Sequence, residues 1–145
     1  MPIKYTRILS ERDNDIRNLI SIFKLPDVSR YYCIDYDNYF SYVTDNPDVY
    51  FYKVYDNEKM IGALHLEKAE ETLYLSIVVF PEFQNKGNGS KIIEEVKNNV
   101  LGLQYSKIEV AIHRENIASL KLFENQGFAV ESEDGSLITY IYENK

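Results

Sequence analysis

The chain has 145 residues, 45% of them hydrophobic, and a formal net charge of −7, which fits one folded domain spanning 1–145. The acidic balance argues against nucleic acid as a partner, because nucleic-acid binding needs a basic face. No apolar run approaches the roughly 20 residues that span a bilayer, and the first residues lack the apolar segment of a secretory signal. A single cysteine, Cys33, excludes an internal disulfide and a cysteine-built metal site. We expect a cytoplasmic protein that binds neither a metal ion nor a membrane.

Apolar periodicity predicts elements in the order β-α-α-β-β-β-α-β-α-β-β. Ser10 or Asp13 is expected to cap the first helix, and Pro26 to lie beyond its end. The predicted strands cover 3–9, 49–55, 60–67, 73–80, 107–113, 128–133 and 137–142. The predicted helices carry Ile16 to Phe23 and cover 36–45, 87–101 and 116–125. This order predicts a mixed α/β sheet with helices on its faces.

The run Gln84 to Ser90 stands between a predicted strand and a predicted helix. Gly87 and Gly89, one residue apart, let the backbone turn tightly and approach a ligand. The first N–H groups of the helix and the positive end of its dipole point at the same place. Together they predict an anion site suited to a pyrophosphate. Because the chain is acidic, the anion must be held by local donors, which include Lys86 and Lys91.

The chain has 13 tyrosines and no tryptophan. Eight of the tyrosines crowd one segment: Tyr31, Tyr32, Tyr36, Tyr39, Tyr42, Tyr50, Tyr52 and Tyr55. One interpretation is amphipathic packing, with buried rings and hydroxyls that reach water. The other is that some of them line a ligand pocket.

Two stretches resemble a known family. Val79 to Gly89 resembles the acetyl-CoA signature of the GNAT N-acetyltransferases, (Gln/Arg)-x-x-Gly-x-(Gly/Ala) after a strand, and Asn116 to Phe128 resembles their second signature, an Asn-opened helix ending in Gly-Phe. The resemblance implies a mostly antiparallel sheet of about seven strands flanked by about four helices. It also implies acetyl transfer from acetyl-CoA to a primary amine of a small molecule or peptide, by direct attack in a ternary complex, and it allows a homodimer.

The resemblance also implies roles for particular residues. The strand that carries Val78 and Val79 is expected to part from the next strand at a bulge, where the free backbone groups of both residues would pair with pantetheine amides. The Val79 N–H would polarise the thioester carbonyl. Asn116 would contact the pantetheine arm or cap its own helix. The residues expected to bind the cofactor are Val78, Val79, Gln84, Asn85, Lys86, Gly87, Asn88, Gly89, Ser90, Asn116 and Phe123.

The sequence does not single out the general base or the general acid of this reaction. A lysine-like amine is neutral in roughly one molecule per thousand at pH 7, so a base is needed. The candidate bases are Glu67 and His113, and His65 and Glu109 are further candidates. A single His or Glu on a strand nevertheless lies on the protein surface more often than in an active site. Where many family members have a tyrosine acid, this chain has Phe123; Tyr140 or Tyr142 could replace it.

Two other classes remain open at this point. A CoA-binding regulatory module without turnover would also carry the glycine loop, and the absence of an acid at position 123 favours it slightly. A nucleotide-binding domain is disfavoured, because neither Gly-x-x-x-x-Gly-Lys-(Ser/Thr) nor Gly-x-Gly-x-x-Gly occurs.

Overall fold

The computed structural model describes residues 2–31 and 34–144, and Cys33 and Tyr32 lie outside them. Seven strands form one sheet in the order β1-β2-β3-β4-β5-β7-β6. The strands are β1 (Ile3–Arg7), β2 (Val49–Asp56), β3 (Lys59–Ala69), β4 (Thr72–Val79), β5 (Lys107–His113), β6 (Ala129–Asp134) and β7 (Leu137–Glu143). The helices are α1 (Ile16–Phe23), α2 (Pro26–Ser29), α3 (Tyr39–Asp45), α4 (Asn88–Lys97) and α5 (Ile117–Asn125), with a 3₁₀ turn at Pro81–Phe83. The predicted fold class is confirmed.

One strand pair, β4 with β5, is parallel, and it is paired for three residues only, from Thr72 opposite Lys107 to Tyr74 opposite Glu109. Beyond Tyr74 the two strands diverge and leave a gap in the middle of the sheet, which we call the β4–β5 gap. The register of β3 against β4 stays unbroken from Thr72 to Val79. The gap therefore arises from divergence of β4 and β5, and the bulge expected on this strand is not seen in the β3–β4 register.

The sheet buries both faces, as the alternation along β4 shows. Leu73, Leu75 and Ile77 belong to the core that α4 and α5 cover. Val78 packs on the other core, which contains Phe23 of α1 and lies beneath α1, α2 and α3. The β4–β5 gap therefore lies between two helical layers, one on each face.

The helices differ from the sequence predictions at their ends. Asp13 does not cap α1; its carboxylate accepts hydrogen bonds from the Lys53 ammonium at 2.9 and 3.1 Å and from the Asp15 N–H at 2.9 Å. Pro26 lies beyond the end of α1, as predicted, and it also opens the short helix α2, which the sequence did not reveal. Proline suits that position because its missing N–H would have no acceptor in the first turn.

The fourth helix is shorter than predicted. It ends at Lys97, since Asn99 takes a left-handed φ of 62° and the Tyr105 hydroxyl donates to the Lys97 carbonyl at 2.7 Å. Val100, predicted to continue the apolar stripe, is 58% exposed. Elsewhere the predicted and observed elements differ by at most three residues at an end.

Within residues 2–31 and 34–144 no helix has the length and apolarity that crossing a bilayer requires. In the same residues no three His, Cys, Asp or Glu side chains come together as a metal site would need.

Candidate active site

A cleft of about 350 Å³ opens at the β4–β5 gap. It brings together the end of β4, the following loop and the N-terminal ends of α4 and α5. Of the predicted cofactor residues, those that line it are Val78, Val79, Gln84, Asn85, Gly87, Asn88, Gly89, Ser90 and Asn116. Asp27, Val28 and Tyr31 line the opposite wall, and the sequence did not indicate them because α2 was not predicted.

The N-terminus of α4 points into this cleft. Gly87 holds a φ of 82° at the cap position, and no side chain caps the helix. Asn85 also has a left-handed φ of 62°, so the loop turns twice before the helix begins. A Cβ on Gly89 would lie 3.0 Å from Leu122 Cδ2, which shows how closely the backbone and α5 approach. The first N–H groups of α4 have no acceptor within the helix, so the residues present fit a pyrophosphate.

In the segment Gln84 to Ser90, which we call the glycine loop, two side chains form hydrogen bonds with nearby backbone carbonyls. Gln84 donates from Nε2 to the Val79 carbonyl at 2.9 Å, and Asn88 donates from Nδ2 to the Phe83 carbonyl at 3.1 Å. Lys86 lies outside the cleft lining, with its ammonium 5.9 Å from the centre of the Phe83 ring. The structure thus leaves the backbone of this loop to face a ligand.

The direction of the β4 backbone groups follows from one hydrogen bond. The Phe80 N–H donates to the Ile61 carbonyl at 2.9 Å, so Phe80 faces β3. Backbone groups alternate sides along a strand; those of Val78 therefore face β3, and those of Val79 face the β4–β5 gap. This leaves Val79 with an N–H directed into the cleft. The free backbone groups expected of Val78 are instead directed at β3, and Val78 contributes its side chain.

Asn116 and Phe123 both belong to α5 but differ in position. The Asn116 Oδ1 accepts the Ser119 N–H at 3.4 Å, so the residue caps its helix while it lines the cleft. Phe123 is 1% exposed and packs edge-on against Phe128, with ring centres 5.0 Å apart. It lines a small cavity of about 30 Å³ beneath the gap.

The two alternative acids lie elsewhere. The Tyr140 hydroxyl donates to Glu124 Oε2 at 2.7 Å. Tyr142 packs against Phe128, and the Lys97 ammonium lies 4.5 Å from the centre of its ring. Neither tyrosine lines a cavity that the structure describes at the gap. Tyr31 does so, and its hydroxyl donates to the Glu115 carbonyl at 3.3 Å.

A hydrogen-bonded chain of three residues lies on the other face of β3 and β4. The Tyr39 hydroxyl contacts His65 Nδ1 at 2.5 Å, and His65 Nε2 contacts Glu67 Oε1 at 2.9 Å. Burial, with the charge of Glu67, raises the pKa of Tyr39, so its hydroxyl keeps its proton. The Glu67 carboxylate only accepts hydrogen bonds, so it takes the proton on Nε2 of His65. In that tautomer of the neutral imidazole Nδ1 is an acceptor, and the Tyr39 hydroxyl donates to it. We call these three residues the Tyr39–His65–Glu67 chain.

Glu67 also forms a hydrogen bond with Tyr42, and this bond raises the pKa of the Tyr42 hydroxyl. The Tyr39–His65–Glu67 chain borders a second cavity of about 210 Å³, which we call the β3–β4 pocket. Val78 lines both this pocket and the cleft, so the two spaces meet at the end of β4. Sequence reasoning did not single out Tyr39; its signal was the crowding of tyrosines between 31 and 55.

His113 lies apart from this arrangement. Its Nδ1 accepts the Glu115 N–H at 3.1 Å and its ring lies 5.3 Å from that of Tyr31. Glu109 forms an ion pair with Lys107 at 3.7 Å and lines none of the three cavities. The four candidate bases are thus divided. His65 borders the β3–β4 pocket and Glu67 holds His65 from behind. His113 lines the small cavity beneath the gap, and the half-buried Glu109 is paired with Lys107.

Comparison with known proteins identifies the family and the fold. The sequence profile of the Acetyltransferase (GNAT) family matches residues 14–128. An uncharacterized N-acetyltransferase, YfmK of Bacillus subtilis, is 29% identical over 87 residues, which cover 57% of this chain and 59% of that protein.

Two solved structures share the fold. The Campylobacter jejuni N-acetyltransferase PseH in complex with acetyl coenzyme A superposes with a TM-score of 0.80 at 14% identity, over 99% of this chain and 100% of that one. The Vibrio cholerae spermidine N-acetyltransferase, in complex with CoA and spermine, gives a TM-score of 0.78 at 19% identity, over 97% and 95%.

Proposed function

Since this chain belongs to the Acetyltransferase (GNAT) family, we propose that it is an N-acetyltransferase, which moves an acetyl group from acetyl-CoA to a primary amine by direct attack. The observation that carries the proposal is the meeting of two spaces at Val78: a cleft with an uncapped helix N-terminus, and a pocket bordered by the Tyr39–His65–Glu67 chain. The solved relatives named above, one with acetyl coenzyme A and one with CoA and spermine, are consistent with both substrates.

The cleft would hold acetyl-CoA. The N–H groups of Asn88, Gly89 and Ser90 would take the pyrophosphate, as helix N-termini do for anions. The Val79 N–H would donate to the thioester carbonyl oxygen. That hydrogen bond becomes stronger as the oxygen gains negative charge, which is where such a donor lowers the barrier.

The Tyr39–His65–Glu67 chain would take the proton from the amine. The amine nitrogen bonds to the acetyl carbon and the C–S bond breaks. An amine proton passes to the Tyr39 oxygen while the Tyr39 proton passes to His65 Nδ1. Glu67, on Nε2, stabilises the positive charge that His65 then carries. Glu67, first considered as the base, is therefore a positioning residue here.

The leaving group needs little help. A thiol with a pKa near 8.5 departs as thiolate without a dedicated acid, so Phe123 in place of a tyrosine does not prevent turnover. Products are the N-acetyl amine, the CoA thiolate and the proton held by His65, which balances the reaction.

Two histidine variants test the base. His65→Gln should lower kcat/KM by about 10²–10⁴, the usual contribution of a general base, whereas His113→Gln should stay within about threefold of wild type. The assay follows amine-dependent thiol release, and the wild-type rate should rise with pH as the amine loses its proton. As a control, CoA should raise the Tm of both variants equally, since neither histidine belongs to the pyrophosphate site.

A larger loss for His113→Gln than for His65→Gln would contradict the assignment of the base. Stabilisation by CoA with no thiol release across a broad amine panel between about pH 6 and 9 would leave a CoA-binding module instead.

A further inference from the structure

The walls of the β3–β4 pocket are aromatic and aliphatic. Phe51 meets Phe23 and Tyr39 edge-on, with ring centres 6.3 and 5.9 Å apart. Ala63 and Val78 complete the sheet side of the pocket. Phe23, Phe51 and Ala63 are each buried to 97% or more, so these walls are part of the packed core and hold a fixed shape.

The lining carries no fixed charge. Among the described residues around the pocket there is no Asp, Glu, Lys or Arg; they are Phe23, Ile34, Tyr39, Phe51, Ala63, His65, Ser76 and Val78. Glu67 lies behind His65 and is engaged by Nε2 at 2.9 Å. A polyamine would bury additional ammonium groups with no carboxylate in the lining to pair with them. An amino acid would bury its carboxylate with no cation in the lining to pair with it. Both cost several kcal/mol or more unless paired.

The polar groups gather at one side. His65 and Ser76 are opposite each other in the β3–β4 register, and Tyr39 reaches His65 from α3. An amine placed against the Tyr39 oxygen would put its apolar body among the phenylalanine rings. Removing an ammonium group from water lowers its pKa, so this pocket raises the fraction of neutral, nucleophilic amine.

The volume limits the size of the occupant. At about 210 Å³ the pocket is smaller than the roughly 300–1,000 Å³ of sites for drug-sized ligands. It corresponds to about seven water molecules at ~30 Å³ each. A body of single-ring size fits this space, whereas a long chain must leave it.

We propose that the β3–β4 pocket is the acceptor site and that it selects compact primary monoamines with an uncharged apolar or single-ring body. This rests on the proposed transferase function, which it deepens by naming the acceptor class. Charge and shape exclude long polyamines and free amino acids as preferred acceptors, although all of them carry a primary amine.

Three matched amines test the class on the wild-type enzyme. Phenethylamine has the proposed body, phenylalanine adds a carboxylate to it, and spermidine replaces the ring by a second and third amine. With acetyl-CoA and thiol release as the readout, kcat/KM for phenethylamine should exceed that for the other two at least tenfold. Equal values, or a preference for spermidine or phenylalanine, would overturn the acceptor class while the transferase function stands. No release with any amine, together with stabilisation by CoA, would remove the transferase function itself.

A pair of variants tests the pocket. Ser76→Asp adds a carboxylate to the lining, and Ser76→Asn adds a neutral side chain of the same size. Ser76→Asp should lower kcat/KM for phenethylamine at least tenfold further than Ser76→Asn does. It should also narrow the advantage of phenethylamine over spermidine, because only this variant introduces a charge. Unchanged phenethylamine kinetics in Ser76→Asp would show that acceptors bind elsewhere. The three-amine comparison on the wild type decides the class even if a variant folds poorly.

Discussion

Two helices begin at the same cleft, and their first turns are built differently. At α4, Gly87 occupies the cap position with no capping side chain, and a second glycine follows at Gly89. At α5, the Asn116 side chain accepts the Ser119 N–H at 3.4 Å, and Ile117 and Ala118 stand where α4 has Asn88 and Gly89. The two helix N-termini carry the same partial positive charge.

The difference shows what turns a helix N-terminus into a ligand site. A cap supplies an acceptor from within the chain, so α5 satisfies part of its own donors. The α4 terminus keeps its donors for another acceptor, and the missing Cβ of Gly89 leaves the backbone accessible beside Leu122. We therefore propose that α4 holds the anion and that α5 forms a wall of the cleft.

The largest effect is expected from a carboxylate at the second residue of each helix. Gly89→Glu should weaken CoA binding at least a hundredfold, because two unit charges about 4 Å apart at an effective dielectric constant near 20 repel by about 4 kcal/mol. Ala118→Glu, the matched position on α5, should weaken it less than about tenfold. Isothermal titration with CoA measures both.

A glutamate in the first turn of a helix favours the helix dipole, and Gly89 has no left-handed φ. Its Cβ would nevertheless crowd Leu122 Cδ2 at 3.0 Å, so the stability of the variant has to be measured. Tm values of the free variants close to wild type serve as the control. Similar losses at both positions would mean that the α5 terminus also holds the anion, and the contrast between the helices would fail.

The difference between the two helix starts was readable from sequence because each signal is local. A strand, two glycines and an amphipathic helix follow one another within about 25 residues, and Asn116 precedes its helix directly. The bounds of α4 were less predictable, since Val100 continues the apolar period although Asn99 has already left the helix. Helix α2, four residues long, is too short for any period to appear.

The Tyr39–His65–Glu67 chain could not be predicted from local sequence signals. Alternation places His65 and Glu67 on one face of β3, but it does not say which face borders a cavity. Tyr39 reaches His65 across 26 residues of sequence, through the packing of α3 on the sheet. The division between His65 and His113 is likewise a property of the whole sheet, in particular of where β4 and β5 part.

A smaller effect is expected from removing the α5 cap. Asn116→Ala should lower the free energy of unfolding by about 1 kcal/mol, the usual value of an N-cap, and Asn116→Ser should restore most of it. If capping is the main role, KM for acetyl-CoA changes by less than about threefold in both variants. Denaturant unfolding and steady-state kinetics measure the two quantities. An increase in KM of tenfold or more without loss of stability would show instead that Asn116 holds the pantetheine arm.

The smallest effect on activity is expected from a substitution of Phe123, a buried residue of α5. Its ring is 1% exposed and fixed against Phe128, so Phe123→Tyr adds a hydroxyl at the edge of the cavity beneath the gap. A dedicated acid typically contributes 10²–10⁴ to the rate, but a thiolate leaves without one. We therefore expect kcat to change less than tenfold on a good acceptor, measured by thiol release at saturating acetyl-CoA. A rise of a hundredfold would show that protonation of the thiolate limits the rate, and a fall of more than tenfold would show that α5 acts through the tight packing of this ring.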